Sequence, residues 1–212
     1  MFVLTVDQRG SRRDDDRVED LLRSTSSTAV VRAFERTAGD EVQAVLDDAG
    51  ELVRTTLALV RDGHWSIGIG VGPVSEPLPV STRAGRGPAF ERARTAVERA
   101  KSAPTHLAVE GAGSDGSDAQ AVLDLVALLV QRRSAQGWAA VELVDAGHTQ
   151  AEAAQRLGVT PQAVSQRLRA AGWQPEQAGR EVAATLLHRA DADTPGSGTL
   201  HTGTLGSRGA QA

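Results

Sequence analysis

The stretch TQAEAAQRLGVTPQAVSQRLRAAGW, Thr149 to Trp173, holds the densest local instructions in the chain. Thr149 and Glu152 stand at capping-box spacing, which opens a short helix. Gly158 closes that helix, because glycine enters the left-handed conformation without steric cost. Thr160 is a second N-cap, followed by Pro161 at the first helical position, where its missing N–H costs nothing. Two helices joined by Gly158-Val159-Thr160 are therefore predicted. Ala154 is small where they cross, Val164 fills the space between them, and Leu157, Val159 and Leu168 complete a small core.

That spacing is a helix-turn-helix over 149–171, and the segment resembles the helix-turn-helix of sigma factor region four and of many bacterial repressors. The resemblance implies binding to double-stranded DNA, with the second helix, Pro161 to Ala171, in the major groove. Thr160 stands at its N-terminus. Gln162, Ser165 and Gln166 face outward because Val164 and Leu168 face inward, and Arg169 lies one turn further on the same side. Gln pairs two hydrogen bonds with adenine, whereas Arg167 and Arg156 suit phosphates. Few arginines supply few phosphate contacts. A homo-oligomer reading two half-sites is therefore expected, with an interface on helix 119–130 or on the last helix, 175–190, through Val182, Leu186 and Leu187.

Moving toward the N-terminus, a helix over 119–133 and another over 138–145 precede this pair, giving a small all-α domain over 118–190. GAGSDGS, residues 111–117, is glycine- and serine-rich and reads as a linker. Before it, Phe2–Val6, Ala29–Arg36, Glu41–Leu46, Trp65–Val74 and His106–Val109 read as strands. Helices are predicted near 15–24, 50–61 and 88–101. The order β-α-β-β-α-β-α-β is a split βαβ arrangement, so residues 1–110 are expected to form an α+β ferredoxin-like palm domain. Alternating glycines in WSIGIGVGPV (65–74) admit either a ligand or another backbone at close range. From Asp191 the chain turns to Gly, Ser and Thr, and 191–212 is expected to be a disordered tail.

The segments VDQRGS, FERTAGDEVQ, WSIGIGVGPV and GRGPAFERARTAVERA, in that order, resemble the SatD family and, more distantly, the palm of nucleotide and diguanylate cyclases. The resemblance covers most of residues 1–110. It implies metal-binding carboxylates at Asp7 and Asp40, with Glu41 a further ligand for Mg²⁺, Gly10 in the turn backing onto phosphates, and Arg36 where a nucleotide base is contacted. Two carboxylates on adjacent strands suit a metal that bridges phosphate oxygens. The pattern departs at Glu91 and Thr95, where these cyclases place an Asn and an Arg; the Arg stabilises the transferring phosphate, which Thr cannot do. No catalytic residue is assigned.

Composition narrows the remaining classes. The chain has 212 residues and no cysteine, which excludes disulfides, thiolate metal sites and cysteine nucleophiles. Net charge is −4, so no global field draws nucleic acid. The charge is unevenly placed. Residues 132–173 hold Arg132, Arg133, Arg156, Arg167 and Arg169 against Glu142, Asp145 and Glu152, a local excess of basic charge. Neither a membrane span nor a secretory leader is read, and a cytoplasmic location is expected. The five histidines lack metal-ligand spacing. The reading is a sequence-specific DNA-binding transcriptional regulator whose palm is a sensor or scaffold; the alternative is a metal-dependent, nucleotide-binding or nucleotide-processing enzyme.

Overall fold

A computed structural model of the chain describes residues 1–11 and 14–192. It is an α+β protein with one five-stranded sheet. The strands are β1 (Phe2–Gln8), β2 (Arg32–Arg36), β3 (Glu41–Leu46), β4 (Trp65–Val71) and β5 (Leu107–Glu110), in the order β2-β3-β1-β4-β5. β1 runs antiparallel to both β3 and β4, while β5 joins β4 in parallel. The helices are α1 (Val18–Ser24), α2 (Ala49–Asp62), α3 (Pro88–Ala100), α4 (Gly113–Arg132), α5 (Ala135–Asp145), α6 (Gln150–Leu157), α7 (Pro161–Ala170) and α8 (Trp173–Ala192).

Strand periodicity decides what each face buries. Phe2, Leu4 and Val6 of β1, with Ile67, Ile69 and Val71 of β4, join one apolar cluster with α2, α4 and α8. On the opposite face Val3 and Val45 meet Ala89, Phe90 and Ala93 of α3. There the glycines of β4 find their use. A Cβ on Gly68 would lie 2.2 Å from the Val97 backbone nitrogen, and one on Gly70 would lie 2.1 Å from the Ala89 carbonyl oxygen. The close neighbour is thus helix α3. Thr5 and Gln43, both buried on this face, satisfy one another through a 2.9 Å hydrogen bond donated by Gln43 Nε2.

Two expectations about organisation are corrected. Residues 113–117 of the expected linker form the first turns of α4, where Asp115 complements the helix dipole. Nor do α4 and α8 belong to a separate helical domain. Ala119, Leu123, Val126, Ala127 and Val130 of α4, and Ala183, Leu187 and Ala190 of α8, share the cluster of the sheet. These apolar stripes gain most by covering the face that α2 leaves open, which carries the helix back through the glycine-rich segment. The same burial narrows the expected interface: Leu187 lies inside the protomer, while Leu125 and Val182 remain 66% and 48% exposed.

α5, α6 and α7, with the residue that follows α7, have a core apart from the sheet, built from Ala140, Val141, Ala153, Ala154, Val164, Leu168 and Ala171. The expected tail is corrected at its start, because Asp191 and Ala192 complete α8 and the Asp191 carboxylate pairs with the amino terminus of Met1. Residues 193–212 lie outside the described residues. Among the described residues, no helix is long and apolar enough to cross a membrane.

Candidate nucleic-acid interface

The α6–α7 pair is built as its local chemistry dictates. Thr149 and Glu152 form the reciprocal capping box, the Thr149 N–H reaching Glu152 Oε2 at 2.8 Å and the Glu152 N–H reaching Thr149 Oγ1 at 3.2 Å. The Thr149 N–H and the Thr149 hydroxyl, which donates to the same Oε2 at 2.9 Å, hold the Glu152 carboxyl below its usual range. Gly158 turns the chain at φ +64°, and its N–H caps α6. Thr160 Oγ1 then accepts from the Ala163 N–H at 3.2 Å, opening α7 with Pro161 in its first turn.

The inward side of α7 is fixed by Val164 and Leu168, both buried. Thr160, Gln162, Gln166 and Arg169 are exposed, and Ser165 and Arg167 are half-buried. Gln162, Ser165, Gln166 and Arg169 fall at i, i+3, i+4 and i+7, so they form one stripe. Beside it, Ser165, Leu168 and Arg169 border a cleft of about 240 Å³ closed by Trp173 and Pro175 at the start of α8. No ion pair engages Arg156, Arg167 or Arg169 among the described residues. Arg156 still favours the Glu152 carboxylate electrostatically, whereas Arg167 and Arg169 carry charge that no ion pair neutralises among the described residues.

Arg133 behaves differently, although it shares the same basic stretch. Its side chain is wholly buried and pairs with the equally buried Glu176, which Arg180 also contacts. Its Nε and Nη2 donate to the Ala171 carbonyl at 3.2 and 3.0 Å. The guanidinium also lies 4.2 Å from the ring centre of Trp138, whose ring meets Arg61 of α2 at 3.9 Å. Arg61 further pairs with Glu142 of α5. This arrangement seats the small helical unit on the body, and the sequence reading missed it because its members lie far apart in the chain.

The corner carrying Asp7 and Asp40 has a different character. Asp7 stands opposite Glu41 in the β1–β3 register, and Asp40 occupies the adjoining turn beside Gly39 at φ +60°. Burial raises the Asp7 carboxyl above its ordinary range; Lys101 opposes the rise, while Asp40 and Glu41 add to it. Lys101 Nζ lies 3.4 Å from Asp7 Oδ2 and 2.7 Å from Glu98 Oε1. Its own pKa is raised, first by the Glu98 hydrogen bond and also by Asp7. Glu41 accepts from Thr37 Oγ1 at 2.6 Å.

The other two residues implied by the palm resemblance are also engaged. Arg36 turns away to Asp16, with Nη2 at 2.6 and 2.5 Å from its two carboxylate oxygens. Gly10 adopts φ +73° in the turn after β1, its carbonyl accepting from the Asp14 N–H. Asp7, Asp40 and Glu41 thus share a corner, and Arg36 is tied to the segment that follows Gly10. Among the described residues no group of three metal-ligating side chains is assembled. Lys101, the sole lysine of an arginine-rich chain, is visible in the sequence, but nothing local to it assigns it to this corner. Compared with protein-family models, curated proteins and solved structures, the chain matches none.

Proposed function

We propose that the protein is a sequence-specific DNA-binding regulator in which α6 and α7 act as a helix-turn-helix and α7 enters the major groove. The observation that carries this reading is the stripe Gln162, Ser165, Gln166 and Arg169, presented from a doubly capped helix pair with its charge unpaired. Amide and guanidinium groups in such a stripe match adenine and guanine edges, respectively. Arg156 and Arg167 flank it as phosphate contacts. The strand order, with β1 between β3 and β4, supports a ferredoxin-like palm of the kind the SatD resemblance implies. In this reading the palm is a scaffold and sensor.

Two copies bind two half-sites about one helical turn apart, with exposed Leu125 and Val182 available at the seam. Retention of pooled genomic DNA fragments on the full-length protein, measured as salt rises, tests the function. Particular fragments should be enriched, and a Gln162→Ala/Arg169→Ala variant with unchanged circular dichroism should lose them. Absence of retention even at low salt would overturn the reading. A monomer by light scattering, with and without the enriched fragment, would overturn the two-copy arrangement.

A further inference from the structure

A second place on the molecule has the makings of a binding site, away from both α7 and the Asp7 corner. α1, the segment after it and α2 enclose an open cleft of about 730 Å³, within the size range of small-molecule sites. Leu21, Leu59 and Trp65 give it an apolar wall, and Thr25, Ser27 and Thr28 bring hydroxyls to its edge.

The charges lining the cleft are unequally engaged. Asp20 is paired with Arg23, Glu51 with Arg54, and Asp62 accepts from the Trp65 indole N–H at 2.6 Å. The three carboxylates are therefore taken up. Arg17 is the exception: its Nε is shut off from solvent and has no hydrogen-bond partner among the described residues. No ion pair engages Arg17 among the described residues, so its terminal N–H groups are the ones an anion in the cleft can use. Arg61 also lines the cleft, and it is the residue stacked on Trp138 and paired with Glu142.

We propose that the α1–α2 cleft binds a small organic anion, its phosphate or carboxylate held by Arg17 and its aromatic or branched body against Leu21 and Trp65. The anion also draws on Arg61, so occupancy alters the stack on Trp138 and reaches α5, which packs against α7. That this relay serves DNA binding rests on the function proposed above; the site and its effect on Trp138 do not.

The test accordingly uses no DNA. Phenyl phosphate is titrated into the ¹⁵N-labelled full chain, and the indole N–H resonances of its three tryptophans are followed, assigned by single Trp→Phe variants. The Trp65 and Trp138 resonances should move along one saturable curve. Inorganic phosphate, which lacks the apolar body, should bind at least about tenfold more weakly. Arg17→Gln should weaken phenyl phosphate binding by about tenfold, as expected for losing a charge-assisted hydrogen bond. Ala58→Trp, an exposed substitution at the mouth, should block binding with the fold intact. Absence of saturable movement, or equal curves for wild type and both variants, would overturn the site. Movement of Trp65 without Trp138 would overturn the relay.

Discussion

The α6–α7 pair and the Asp7 corner both present polar side chains that a partner can use, yet they spend them differently. On α7 the glutamines and arginines of the outer stripe have no ion-pair partner within the described chain, while the residues that shape the turn are fully satisfied. Around Asp7 the allocation is reversed: Lys101 stands on Asp7, Thr37 donates to Glu41, and Asp16 holds Arg36. The allocation on α7 is the one its proposed role requires, with recognition groups left free and only their support secured. A corner in which Lys101 and Thr37 already occupy Asp7 and Glu41 must break those contacts before it can bind through them.

The largest expected effect falls at the junction that holds the α6–α7 unit in place. Glu176→Ala leaves Arg133 buried without its carboxylate and should cost about 3–5 kcal/mol, read as a lowered urea midpoint. If stability were unchanged, the buried pair would not be what seats the unit. Leu168→Ala, inside the small core of α5–α7, should cost about 2–3 kcal/mol. Hydrogen exchange should rise in α6 and α7 before it rises in β1 and β4; uniform loosening would erase the distinction between unit and body.

Removal of the first cap is a smaller change. Thr149→Ala should cost about 1 kcal/mol and, under the function proposed above, weaken DNA retention without changing which fragments are retained. The capping contribution of Glu152 depends on acid. Its folded pKa is depressed, so its stabilisation is present above the ordinary carboxylate pKa and is lost as pH falls through the lower folded value. Circular dichroism of α6–α7 variants across acid pH follows that loss, which should be absent in Glu152→Gln.

The smallest effect is expected at Asp7. Its folded pKa is raised, so the proton is bound more tightly in the folded state and the ionised form carries a penalty above that pKa. Asp7→Asn removes both the penalty and the partner of Lys101, and stability at neutral pH should change by no more than about 0.5 kcal/mol. Any advantage of Asn should shrink as pH falls through the raised pKa toward the unfolded value. Thermal melts with and without Mg²⁺ sharpen the comparison: metal-dependent stabilisation of wild type, lost in Asp7→Asn, would make this corner a metal-binding site.

What was legible in the sequence followed the range of the interactions. Caps and turn residues act within a few positions, so Thr149, Gly158 and Thr160 announced α6 and α7 and placed Gln162 and Arg169 on the outer side. Short apolar or alternating runs marked the five strand segments, and the second of them begins at Arg32, later than the expected Ala29. The glycines of β4 announced a close neighbour, and only α3 packing on Gly68 and Gly70 decided that it is a helix. The segment 111–117 misled because its composition is that of a linker, whereas its conformation is set by the burial of Leu123 and Val126 further along α4.

Sequence alone determined the local architecture of the α6–α7 pair, the strand segments and the residues on the exposed side of α7, because neighbours along the chain specify caps and periodicity. Tertiary structure decided the rest. It merged α4 and α8 into the sheet's core and brought Lys101 onto Asp7. It also buried Arg133 against Glu176 and set Arg61 between the α1–α2 cleft and Trp138. These are encounters between distant segments, and no local pattern encodes them because their energy exists only once the chain has folded around them.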